Sequence, residues 1–209
     1  MSIKDSYLGQ AWLVLALAVC FGAALAGVEL ALRERIDDNK LQETLRRVPQ
    51  LVPGGRTGEA VDVAGYEVYL VRDAGNGHVG WVVKAGGQGF ADYIELLIGL
   101  DRTAERITGL WVLDQKETPN LGNKIEEEPF RRPFSSGKLS AGAEITVSRE
   151  PPVGPNQVKP VTGATVSSES VCKIINAALA DLRADLARLA EQVAAKSRPA
   201  TKDKEPEKP

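Results

Sequence analysis

Along the chain the spacing of apolar positions changes three times, and each change marks an element. From Ser6 to Val28 there is no charge, and Leu, Ala, Val and Gly dominate, matching the roughly 20 apolar residues needed to cross a bilayer. Residues 8–32 therefore read as one membrane helix behind a short N-terminal segment, 1–7. Trp12 suits the interface near one end, Arg33 and Arg35 close the other, and Glu29 reaches the headgroups. Arg33 to Arg47 is charged and free of Gly and Pro, with Ile36, Leu41 and Leu45 at helical spacing. Pro49, Pro53, Gly54 and Gly55 come next, so 33–55 reads as a helical stalk. The period then drops to two: Tyr66 to Val71, Val79 to Val83, Tyr93 to Leu100 and Ile107 to Leu113 form β segments parted by Gly-Asn-Gly and Gly-Gly turns. Four strands in an antiparallel sheet are the economical arrangement. Helical spacing returns in the stripe Val171, Ile174, Ile175, Ala178, Leu182, Leu186 and Leu189, which predicts a C-terminal helix packed on the sheet. The expected fold is α+β, with a soluble domain over 56–196. From 197 to 209 only Pro, charged and small residues occur, the composition of a disordered tail.

Composition narrows the function. Of 209 residues, 43% are hydrophobic, and 26 Lys+Arg against 28 Asp+Glu leave a net charge of -2. No basic excess is present to hold nucleic acid. Cys20, Cys172 and the single His78 are too few for a disulfide framework or a metal site. Cys20 reads as a lipid-facing or helix-packing thiol, and His78, in a Gly-Asn-Gly-His turn, as exposed and inert. Trp81, Trp111 and Tyr69 read as sheet core, and Glu126-Glu127-Glu128 as a solvated acidic face. Ala24-Leu25-Ala26 before Gly27 has the form of a signal cleavage site. The apolar run continues through Val28 and Leu30 to Leu32, which favours an uncleaved anchor. Lys4 competes with Arg33, Arg35, Lys40, Arg46 and Arg47, so counting cations alone puts the body in the cytoplasm.

Two segments carry candidate chemistry. Pro160 to Ser168 precedes the last helix and crowds Thr162, Thr165, Ser167 and Ser168 around Gly163-Ala164. The plain reading is a capped helix start with a tight turn at Gly163. The chemical reading uses the same geometry, because free N–H groups at the positive end of a helix dipole suit a phosphate. The Gly-Lys-Ser/Thr ending of a nucleotide-binding P-loop is missing. Lys116 to Ile125 comes after the last strand. Pro119, Asn120 and Gly122 make it a turn, with Asn120 or Gly122 accepting positive φ, but turn formation leaves the pair Glu117-Thr118 unexplained.

Both segments, in this order behind one N-terminal anchor, resemble the FMN-binding domain family. Within it the likeness is to G subunits of Rnf-type electron-transport complexes, with C subunits of sodium-translocating NADH:quinone reductases as sisters. Thr162-Gly163-Ala164-Thr165 matches the family's Ser/Thr-Gly-Ala-Thr motif. Glu117-Thr118-Pro119-Asn120-Leu121-Gly122 matches its Glu-Thr-Pro-Gly-Leu-Gly signature, with Asn120 in place of Gly. Gln115 and Lys159 stand where the family often has His and Asp. The resemblance implies FMN held covalently as a phosphoester on Thr165, installed by a flavin transferase. It places Thr162, Gly163, Ala164, Ser167, Ser168, Glu117, Thr118, Leu121, Gly122 and Lys124 around the cofactor. It further implies electron relay among the membrane subunits of an ion-translocating complex, without substrate turnover of its own, and a domain on the periplasmic or exterior side of the inner membrane. The competing expectations are a flavin-free anchored assembly or sensory module, and a secreted flavoprotein released by signal cleavage.

Overall fold

The computed structural model of the chain describes residues 7–150 and 155–196. The expected N-terminal segment, apart from its last residue, and the expected tail lie outside the described residues. The chain divides into two units, 1–42 and 43–209.

The described residues of the first unit are helical. Helix α1 runs Tyr7–Arg47 without a break, so the anchor and the helical part of the stalk are one element. Nothing in the sequence interrupts it, because its glycines, Gly9, Gly22 and Gly27, are well separated and Pro is absent until Pro49. Its apolar stretch is long enough to cross a membrane and is nowhere buried by protein. Glu29 and Arg33 pair one turn apart at 3.6 Å.

The second unit is built on five antiparallel strands in sequence order: β1 Thr57–Val63, β2 Tyr66–Arg72, β3 His78–Gln88, β4 Tyr93–Asp101 and β5 Ile107–Gln115. Sequence periodicity reveals four of these. The missed strand, β1, is an edge strand with only Val63 buried, so it lacks the alternation that marks a half-buried strand. It joins β2 through Ala64 (φ 52°) and Gly65 (φ 83°), the paired positive dihedrals of a tight hairpin. A short parallel pair, β6 Thr146–Val147 and β7 Gln157–Val158, lies beyond the main sheet, and a single helical turn, α2, spans Glu128–Arg131.

Helix α3, Thr165–Lys196, covers one face of the sheet. Val171, Ile174, Ile175, Ala178, Leu182 and Leu186 are all buried, and Leu189 packs against them, as the apolar stripe requires. Tyr66 of β2 donates to Asp181 Oδ2 at 2.8 Å and ties the helix to the sheet. The other face is covered by residues 48–52: Val48, Leu51 and Val52 pack on Tyr69, Val71, Val82 and Leu97. The helical part of the stalk thus ends at Arg47, and the chain continues as a 3₁₀ turn, Val48–Leu51, inside the domain's core. Gly99 and Gly109 permit this approach, since a Cβ on either would strike the Leu51 carbonyl, which also accepts from Thr108 Oγ1 at 2.8 Å. Arg47 stacks on Trp111 with its guanidinium carbon 3.6 Å from the ring centroid, and Arg131 approaches the same ring at 4.3 Å.

One sequence expectation is corrected here. His78 is not exposed: it opens β3, is buried, and sits 4.6 Å from the Trp81 ring in an edge contact, with Nε2 3.1 Å from the Gly80 carbonyl. Cross-strand pairing with Arg72 draws it into the sheet, which overrides the local turn signal.

Candidate functional site

The two motifs meet at one end of the sheet. After β5 the chain turns at Thr118, whose carbonyl accepts from the amides of Leu121 (3.2 Å) and Asn123 (3.4 Å). Asn120 takes φ 60°, a left-handed conformation that Asn tolerates in the position where the family signature has Gly. Gln115 fixes the start of this turn. Its Oε1 accepts from the Glu117 amide at 2.6 Å, and its Nε2 donates to Glu126 Oε1 at 3.0 Å.

On the other side, Gly163 adopts φ 85° and α3 begins at Thr165, six residues before Val171, the first position of the apolar stripe. Ala164 occupies the capping position: its carbonyl accepts the Ser168 amide at 2.8 Å, and its own amide donates to Val161. The Ser168 hydroxyl donates to the Ala164 carbonyl at 2.8 Å and accepts from the Val161 amide at 3.3 Å. Ser168 is therefore committed to shaping the turn. Among the described residues, the amides of Thr165, Val166 and Ser167 and the Thr165 hydroxyl make no hydrogen bond with protein. They are the unsatisfied donors of a helix start. Leu121 leans on the second motif, its Cδ2 lying 3.1 Å from where a Gly163 Cβ would stand.

Between the motifs lies an open cleft of about 290 Å³, lined by Phe90, Thr118, Leu121, Gly122, Gly163, Ala164, Thr165, Val166 and Ser167. All nine are uncharged. Of the residues expected around a cofactor, the structure brings together Thr118, Leu121, Gly122, Gly163, Ala164, Thr165 and Ser167. It sets Thr162, Ser168, Glu117 and Lys124 outside the lining. Glu117 lies behind the wall: buried at 4% exposure, it accepts from the Ala91 amide through Oε1 (3.0 Å) and from the Ser167 hydroxyl through Oε2 (2.5 Å). Two lining residues were not expected there: Val166, beside Thr165 in the second motif, and, outside both motifs, Phe90. Its signal was an isolated aromatic after Gly86-Gly87-Gln88-Gly89, and it is 65% exposed.

These residues fit a flavin nucleotide. Three free backbone N–H groups at a helix start can hold a phosphate. Phe90 and Leu121 supply apolar surface for a planar ring.

Comparison with known proteins agrees with the geometry. Residues 89–180 match the family model described as FMN-binding domain. The chain is 31% identical over 126 residues to the G subunit of the ion-translocating oxidoreductase complex of Methanosarcina acetivorans, covering 59% of this chain and 63% of that one. It is 30% identical over 114 residues to the G subunit of the Na(+)-translocating ferredoxin:NAD(+) oxidoreductase complex of Acetobacterium woodii, covering 53% and 52%. The match thus spans between half and two thirds of these relatives' length. The fold is that of the C subunit of the Na(+)-translocating NADH-quinone reductase from Parabacteroides distasonis, with a TM-score of 0.58 at 19% identity over 74% of this chain and 95% of that one. Residues 89–180, which contain both motifs and every residue lining the cleft, are thus the part of the chain that matches the FMN-binding domain family.

Proposed function

We propose that this chain is the membrane-anchored flavin subunit of an Rnf-type ion-translocating oxidoreductase complex, carrying FMN as a phosphoester on Thr165. The observation that carries this reading is the first turn of α3, where an unpartnered threonine hydroxyl stands beside three unpartnered backbone donors at the mouth of an uncharged cleft. Attachment requires a flavin transferase and a flavin nucleotide whose phosphate bears a leaving group. The Thr165 Oγ–P bond forms, the bond to the leaving group breaks, and the hydroxyl proton departs with it. The helix dipole and the amides of Thr165 to Ser167 then hold the ester's remaining charge. Bound FMN supplies reversible one- and two-electron chemistry. The chain itself orients the ring, limits its contact with water and tunes it through nearby dipoles.

The relatives belong to ion-translocating oxidoreductase complexes, and the helix α1 is long and apolar enough to anchor the domain beside such partners. The domain is placed on the extracytoplasmic side, where a covalent tether prevents loss of a cofactor that could not be regained. Folded domains translocate largely regardless of charge, so the cation count does not oppose this.

Flavin fluorescence of the denatured chain in a gel, after expression with a flavin transferase, tests the attachment. A fluorescent parent band and a dark Thr165→Ala band support the reading. A colourless native protein supports the flavin-free assembly module instead. Labelling of Lys116 and Lys124 in spheroplasts by a membrane-impermeant amine reagent tests the topology, and protection of both in the unassembled chain contradicts it.

A further inference from the structure

Glu117 sits in the family signature yet does not reach the cleft, and its surroundings show what it does instead. Three donors converge on its carboxylate: the amides of Ala91 (3.0 Å) and Asp92 (3.5 Å) on Oε1, and the Ser167 hydroxyl (2.5 Å) on Oε2. They come from 26, 25 and 50 residues away, so no local turn accounts for them. A group that only accepts, through two oxygens, is what this site requires. The carboxylate also has no room to move. A Cβ on Gly122 would stand 2.7 Å from Oε2, and one on Gly89 would overlap Oε1. One side chain thereby fixes both walls of the cleft: the Phe90-Ala91 turn on one side and Ser167 on the other.

The bond to Ser167 has a chemical consequence. Its hydroxyl proton is spent on Glu117, so the Ser167 oxygen can offer the cleft only lone pairs.

We propose that Glu117 is a positioning residue for the flavin, which it never touches: it sets the spacing of the cleft walls and makes Ser167 a hydrogen-bond acceptor toward the ligand. This rests on the flavin reading above. Glu117→Gln is nearly isosteric but places an amide NH₂ against one of the three donors, and the Ser167 proton is then turned toward the cleft. Ser167→Ala removes the relay and leaves the carboxylate.

The experiment uses the full chain in detergent, loaded by a flavin transferase, and reads the flavin midpoint potential and visible circular dichroism. Glu117→Gln and Ser167→Ala are each expected to keep the covalent flavin and to shift its redox equilibrium about tenfold, or about 59 mV for one electron. The double variant is expected to match Ser167→Ala alone. An undiminished Glu117→Gln shift in the Ser167→Ala background overturns the proposal, as do potentials and dichroism equal to the parent in both single variants. Hydrogen exchange on the flavin-free chain provides an arm that does not need the cofactor. Glu117→Ala, which removes the acceptor of both amides, should speed exchange of the Ala91 and Asp92 amides while β3 to β5 stay protected, and unchanged rates there overturn the brace. A parent chain that never takes flavin sinks the flavin reading and leaves this second arm to decide the brace.

Discussion

Replacing Gly122 by Ala introduces one methyl group at the most crowded point behind the cleft. The new Cβ would lie 2.7 Å from Glu117 Oε2, 2.8 Å from Ser167 Oγ and 2.9 Å from Glu117 Cβ, all well inside ordinary contact. Gly122 is buried and has no positive φ, so the backbone accepts Ala and the whole cost is steric. Either the methyl is forced in, at about 1–3 kcal/mol for an overpacked site, or Glu117 and Ser167 part and a charge-assisted hydrogen bond worth about 1.5–3 kcal/mol is lost. The two are alternatives, so the expected loss is about 1–3 kcal/mol rather than their sum. For a domain of this size each kcal/mol lowers the melting temperature by about 2–4 °C, giving a fall of about 2–12 °C. Gly142→Ala is the control, because its Cβ would meet nothing nearer than Ser140 Oγ at 3.5 Å; it should stay within about 0.5 kcal/mol of the parent. Thermal melts of both variants in detergent, monitored by near-ultraviolet circular dichroism, make the comparison. A Gly122→Ala melt that coincides with Gly142→Ala refutes the picture of a carboxylate held without room to move.

Thr165→Ala should leave stability within about 0.5 kcal/mol of the parent by chemical denaturation, because Thr165 is the first helical residue and its hydroxyl makes no protein bond, while Ala favours helix. Burial pushes the His78 imidazole below its ordinary pKa, with the Arg102 and Arg72 charges adding and the Gly80 carbonyl opposing. The unfolded chain therefore takes up a proton near pH 6.5 that the native protein declines. Stability should be full above that pH and fall below it, until the native imidazole itself protonates; urea titrations of parent and His78→Gln should differ in slope in that window. Cys172 is buried and its thiol is pushed up to about 12, first by burial and then by Glu169. A thiol reagent at pH 8 should label it only on unfolding, and labelling of the native domain would contradict the packing of α3.

Much of the fold is legible in the sequence where one face of an element is strongly apolar. The α3 stripe from Val171 to Leu189 repeats at helical spacing over five turns and could pack only one way. β1 was illegible for the opposite reason, since an edge strand with one buried residue carries no periodic signal. His78 was misread because Gly-Asn-Gly-His encodes a turn locally, while its burial comes from pairing across to β2. At the site, the motifs located Thr165 and the Thr118 to Gly122 turn, because helix starts and turns are written in neighbouring residues. The role of Glu117 was not visible: its partners Ala91 and Ser167 are brought to it by the sheet and by α3, and neither carries a mark of that in sequence. Phe90 joins the cleft because Glu117 holds the amide next to it, again a tertiary fact.

The central claim is the phosphoester on Thr165, and peptide mapping by mass spectrometry tests it most directly. The full chain, expressed with a flavin transferase and digested, should yield a peptide containing Thr165 heavier by FMN less water, with the adduct absent from Thr165→Ala and from every other peptide. Native, folded chain from the same preparation with an unmodified Thr165 peptide, or with flavin attached to another residue, would contradict the account.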